Sequence, residues 1–171
     1  MPPLAAIDVI GIRLKQEVCM HSIRRAMVFL SSLVMLTGAT LFLASPAQAA
    51  TSCSGTVTYD GTVSRSGSVI GELVIYYNSS NGGTNSACFY HRGVSYGVAA
   101  DTSIQILRCS QTSGTGNVCN PTASSLDDRG SYSYQAGPVG VTGTASHCVS
   151  ATGGIVWGGT DYYIETGTRG C

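Results

Sequence analysis

Six cysteines, Cys53, Cys88, Cys109, Cys119, Cys148 and Cys171, stand singly along the later part of this 171-residue chain. No other feature limits its fold as much. An even set of isolated cysteines in an exported chain pairs into disulfides. Such cross-links let a short chain fold around a modest core. A zinc site would instead want closely spaced Cys or His ligands, and the chain has no C-x-x-C pair. The seventh cysteine, Cys19, falls in a segment with a different character.

That segment has the order of a secretory signal. Arg24 and Arg25 form a basic start, and an apolar stretch runs from Ala26 to about Ala44. Ser45-Pro46-Ala47-Gln48-Ala49-Ala50 follows, with small residues at Ala47 and Ala49 in the A-x-A pattern read by signal peptidase. The apolar stretch nearly matches a bilayer span. Ser31, Ser32, Thr37, Gly38 and Thr40 dilute it, and Pro46 ends it. The expectation is an N-terminal extension and signal peptide over 1–49, cleaved between Ala49 and Ala50, with no anchor retained. The residues flanking the twin arginines fit the Tat route poorly and favour Sec. The start is open among Met1, Met20 and Met27, and Met20 gives the tidier signal.

The expected mature domain, residues 50–171, has the length of one domain. It carries Arg65, Arg92, Arg108, Arg129 and Arg169 against Asp60, Glu72, Asp101, Asp127, Asp128, Asp161 and Glu165. The only lysine, Lys15, lies outside it. This slightly acidic balance gives no basic footprint for nucleic acid and no polybasic patch for a membrane surface.

Periodicity sets the fold class. Val57, Tyr59 and Val63 alternate with Thr56, Thr58, Asp60 and Thr62, the period of a half-buried strand. Leu73, Ile75 and Tyr77 face away from Glu72 in a second. The turn-rich Asn78-Ser79-Ser80-Asn81-Gly82-Gly83 leads to a returning strand at Ala87–His91. Further strands are expected at Ile104–Cys109, Tyr132–Tyr134, Val139–Val141, His147–Val149, Ile155–Trp157 and Tyr162–Ile164. The segment from Asn120 to Gly130 reads as a loop. No helical period is sustained. The expectation is a single all-β, antiparallel β-sandwich of about eight short strands.

Six cysteines allow fifteen pairings, and spacing alone does not select one. Cys109 and Cys119 flank a turn-rich segment and are expected to close a hairpin. Cys53 and Cys171 sit at the mature ends, which often lie close in a compact domain. That leaves Cys88 with Cys148.

Candidate chemistry is sparse. His91 and His147 are the only mature histidines, and no G-x-S-x-G elbow accompanies them. Glu72 and Glu165 would serve as a glycosidase pair only at a set separation. Asp127-Asp128 offers oxygens for calcium without EF-hand spacing. The tyrosines are more numerous than so short a core needs. Tyr76, Tyr77, Tyr132, Tyr134 and Trp157 are the candidate contact surface, since such rings pair an apolar face with a polar tip.

Leu73-Val74-Ile75-Tyr76-Tyr77-Asn78-Ser79 leading to Cys88, and Ala136-Gly137-Pro138-Val139 leading to His147-Cys148-Val149, carry a resemblance. From Leu73 to the terminal Cys171 the chain resembles the spore-associated protein A family of small exported proteins. The Cys109–Cys119 segment looks like an addition to that pattern. The resemblance agrees with the pairings Cys53–Cys171 and Cys88–Cys148. It implies export and association with the cell or spore surface, and no catalytic residues or cofactors. The expected function is therefore a secreted, non-catalytic surface- or spore-associated structural protein with a wall or spore-surface polymer as partner. The alternatives are an extracellular carbohydrate- or cell-wall-binding module and a small secreted hydrolase or protease inhibitor.

Overall fold

The computed structural model describes Ser52–Cys171. The signal segment, the Ala49–Ala50 cleavage point and the three candidate starts lie outside the described residues. Nine strands form in chain order: β1 Thr56–Arg65, β2 Ser68–Asn78, β3 Thr84–His91, β4 Ala100–Cys109, β5 Pro121–Ser124, β6 Asp128–Tyr132, β7 Gln135–Thr142, β8 Val149–Trp157 and β9 Thr160–Glu165. All pairings are antiparallel. The first sheet has the order β1-β2-β3-β7. The second runs β5-β4-β8-β9, with β6 also paired to β4. β6 and β5 lie end to end on one edge of β4, beside Ala100–Ile104 and Leu107–Cys109 respectively.

Alternation fills the space between the sheets. Leu73, Ile75, Ala87 and Phe89 from the first sheet meet Ile104, Ile106, Val149, Ala151 and Ile155 from the second. Phe89 is the largest wholly buried side chain. Two glycines make room for it. A Cβ at Gly71 would come 2.3 Å from the Phe89 ring, and one at Gly153 on the facing sheet 2.9 Å. The all-β sandwich expected from the sequence is the fold observed.

Three local expectations are corrected. β1 carries an irregularity between Val57 and Tyr59. Such a bulge reverses the side-chain phase, so Val57 is exposed while Tyr59 and Val63 pack on the core. The expected loop from Asn120 to Gly130 contains β5 and the start of β6, because the open edge of β4 offers backbone partners that short polar segments can use. Tyr132 and Tyr134 do not share a strand. The chain leaves the second sheet after Tyr132 and enters the first at Gln135. Asp128 pins that crossing: it accepts hydrogen bonds from the Tyr132 hydroxyl and, at 2.6 Å, from the Gly137 amide.

All six cysteines are bridged, as Cys53–Cys88, Cys109–Cys119 and Cys148–Cys171. The hairpin bridge is as expected, and the pairings Cys53–Cys171 and Cys88–Cys148 are overturned. The reason is layer geometry. Cys88 pairs across from Val74 on the outward side of the first sheet, out of phase with Leu73 and Phe89. Cys148 precedes β8 in the second sheet. Packed sheets lie ~10 Å apart, while bridged Cα atoms are normally within ~7 Å. The chain near Ser52 instead folds over the outside of the first sheet, where Ser86 Oγ donates to the Ser52 carbonyl at 2.6 Å. This brings Cys53 over Cys88, with Cα atoms 5.9 Å apart. The C-terminal tail runs beside the start of β8, pairing Arg169 with Val149, and so delivers Cys171 to Cys148.

Candidate binding groove

The outer face of the second sheet holds a groove of about 220 Å³ between β6, β4, β8 and β9. Register explains its lining. Arg129 pairs with Ser103, Ser103 with Gly154, and Gly154 with Tyr163. This row therefore crosses four strands and projects outward, because Thr102, Ile104 and Ile155 take the inward positions. Val156 pairs with Asp161 beside it, and Asp101 also lines the groove.

Gly154 makes the floor low. A Cβ there would come 2.9 Å from Tyr163 Cβ and 2.7 Å from the Tyr162 carbonyl oxygen. Glycine inside a strand commonly marks such a close approach. The consecutive Gly153 and Gly154 serve opposite faces: the first admits Phe89 to the core, the second seats Tyr163. Tyr163 is 71% exposed and forms one wall.

The opposite wall is charged. Arg129 grips Asp101 with two hydrogen bonds, Nε to Oδ1 at 3.2 Å and an Nη to Oδ2 at 2.7 Å. The guanidinium holds the Asp101 carboxyl below the ordinary aspartate range and is itself raised by Asp101 first, then by Asp127 and Asp161 at longer range. A carboxylate with a depressed pKa keeps its pairing above the unfolded-state value and loses it as pH falls through the lowered folded value. The Asp101 carboxyl is therefore expected to titrate below an ordinary aspartate when followed by NMR. An Arg129→Gln exchange should return its midpoint to the ordinary range.

The five aromatic residues expected to form a contact surface are not brought together. Tyr76 lies on the outer face of the first sheet, its hydroxyl 2.9 Å from that of Tyr90. Desolvation first, then that hydrogen bond, raises the Tyr90 phenol well above its ordinary range. Tyr77 is half-buried on β2. Tyr132 and Trp157 pack against the edge of the core. Trp157 also lines a shallow depression with Arg65 and Ala100. Tyr134 is exposed and meets Tyr96 edge-on, ring centres 5.2 Å apart.

The remaining candidates have other roles. His91 is wholly buried, with Nδ1 3.1 Å from the Ser95 carbonyl and Nε2 2.8 Å from Thr102 Oγ1. Both ring nitrogens are thus engaged within the fold. His147 adjoins the bridged Cys148. Glu72 is held on the first sheet by Arg92, whose Nε donates at 2.5 Å, while Glu165 projects from β9 of the second. The sandwich separates these two carboxylates, so they cannot flank one glycosidic bond. Both Asp128 oxygens serve the crossing described above. Among the described residues no group of three or more His, Cys, Asp or Glu is placed to hold a metal ion.

Sequence reasoning did not single out Tyr163 as lining the groove. Strict alternation of Asp161, Tyr163 and Glu165 against Tyr162 and Ile164 carried the signal, together with the paired glycines opposite. The described residues thus form a disulfide-stapled antiparallel sandwich with a polar, aromatic-walled groove on one sheet face. No family model, curated protein or solved structure matches the chain.

Proposed function

We propose that the mature domain is a secreted, non-catalytic protein that holds carbohydrate polymer in the groove of the second sheet and is retained by it at the cell or spore surface. The observation that carries this reading is Tyr163, exposed and seated opposite Gly154, facing the bidentate Asp101–Arg129 pair across an open floor. A pyranose ring has an apolar face and a rim of hydroxyls. Tyrosine suits the first, and a fixed carboxylate–guanidinium pair offers both acceptors and donors to the second.

The dimensions favour a chain laid across the sheet over an engulfed ligand. Drug-sized molecules occupy clefts of roughly 300–1,000 Å³, and this groove is smaller and open. The three bridges suit an oxidising compartment. The secretory signal pattern and the resemblance to spore-associated proteins point the same way.

Sedimentation with chitin, cellulose and peptidoglycan tests the groove. The secreted protein is expected to be retained on at least one polymer, and Tyr163→Ala to weaken retention about 3- to 10-fold, the worth of one aromatic contact of ~0.5–1.5 kcal/mol. Tyr163 is too exposed for its truncation to harm the fold. Retention on none of the polymers would end the reading. Fractionation of the producing cells tests the retention: all of the protein free in medium, with none on wall or spores, would end that half.

A further inference from the structure

We infer that the groove prefers a cationic amino-sugar polymer, one bearing free 2-ammonium groups, over its neutral N-acetylated counterpart and over anionic polymers. This rests on the carbohydrate reading above and names the class of sugar. The inference comes from how charge is distributed around the floor. Among the described residues Arg129 is the only cation lining the groove, and Asp101 already occupies it bidentately. Asp161 lines the same groove, is exposed, and makes no side-chain hydrogen bond or ion pair among the described residues. Asp161 and Asp127 both act on Arg129 through space. Two carboxylates thus line the groove against one guanidinium.

The other arginines do not alter this sign. Arg92 is paired with Glu72 on the opposite sheet. Arg108 donates to the Thr142 carbonyl at 2.9 Å. Arg169 lies over the Tyr59 ring, 4.8 Å from its centre. Arg65 stands in the neighbouring depression with Trp157 and Gly158. An anionic sugar placed on Tyr163 would meet the unpaired Asp161 and gain no unoccupied cation. An ammonium on the same ring would find Asp161 as its counter-charge.

The direct test compares two soluble probes of equal length, the glucosamine hexamer and the N-acetylglucosamine hexamer, by calorimetry on the secreted protein. At about pH 5.5 an amine is charged and an ordinary aspartate is ionised. At low salt the glucosamine hexamer is expected to bind about fivefold tighter, the upper range for an exposed ion pair. The preference should shrink toward parity at about 1 M salt, where screening acts over ~3 Å. Asp161→Asn should bring it below about twofold. Arg65→Gln should leave it unchanged.

Equal binding of the two hexamers would overturn the charge preference and leave the carbohydrate reading standing. A preference that survives both Asp161→Asn and Tyr163→Ala would place the amino sugar elsewhere and overturn the inference. Binding of neither hexamer, together with no retention on any polymer, would remove both readings.

Discussion

Replacing Cys53 and Cys88 together by alanine is expected to lower the stability of the domain by about 4 kcal/mol, the largest loss among the three bridges. The bridge spans 35 residues of sequence, against 23 for Cys148–Cys171 and 10 for Cys109–Cys119. In the chain-entropy picture, loops of these lengths give about 4, about 3 and about 2.5–3 kcal/mol respectively. Total stability for a domain of this size is ~5–15 kcal/mol, so the first variant loses a large share of it. Alanine is the proper replacement because Cys88 is wholly buried, and a serine there would add an unsatisfied hydroxyl. Urea unfolding of the three double variants should rank them in that order. The single Cys53→Ala exchange checks the pairing itself. Alkylation and peptide mapping should then find the free thiol at Cys88. A free thiol at Cys171 would restore the end-to-end bridge and overturn the observed arrangement.

The bridges also mark where sequence reasoning reaches its limit. Alternation within β2 is a local property, so Leu73 and Ile75 could be placed on one face from the sequence alone. The Cys109–Cys119 bridge was legible for the same reason, since its two ends flank one short loop. Cys53 and Cys171 are different. Their partners depend on which face of which sheet the chain ends cover, and that follows from the crossings between β3 and β4, β6 and β7, and β7 and β8. Nothing in the residues near Cys53 announces that Ser52 will meet Ser86 over the outside of the first sheet. β5 and β6 were illegible for a related reason. Their residues are polar and short of apolar alternation, and they become strands because β4 leaves an edge to be paired.

The groove was legible in parts. Asp101, Arg129 and Tyr163 come from three different strands, and only the register of β6, β4, β8 and β9 aligns them. The tyrosine count suggested a contact surface, on residues that the fold does not bring together. Tyr132 and Trp157 were drawn into the edge of the core by their apolar bodies, while Tyr76 pairs its hydroxyl with that of Tyr90 on the outer side of the first sheet. The Gly153-Gly154 pair held the better signal. Glycine in a strand interior often marks a close approach, and here the two adjacent glycines are approached from opposite faces.

That pair leads to the second large effect, at the centre of the core. Phe89→Ala is expected to cost about 3–5 kcal/mol, the usual loss for emptying a buried phenylalanine site. The ring lies between Gly71 and Gly153, and neither glycine has a side chain with which to fill the void. The collapse that softens such losses elsewhere is therefore limited here. The reverse change, Gly153→Ala, should cost about 1–3 kcal/mol by overpacking. Its new Cβ would meet Phe89 at 2.9 Å, with Ile104 at 2.9 Å and Leu73 at 3.0 Å close behind. The two penalties should not add. In the Phe89→Ala background, the alanine at 153 has one of its three obstacles removed and occupies part of the cavity, so its cost should fall by at least about 0.5 kcal/mol, the threshold at which coupling between neighbours becomes measurable. A four-point cycle of wild type, both single variants and the double variant, followed by urea unfolding, reads that coupling directly. Strict additivity would mean that Phe89 does not reach across to β8, and the contact joining the two sheets at Gly153 would have to be redrawn.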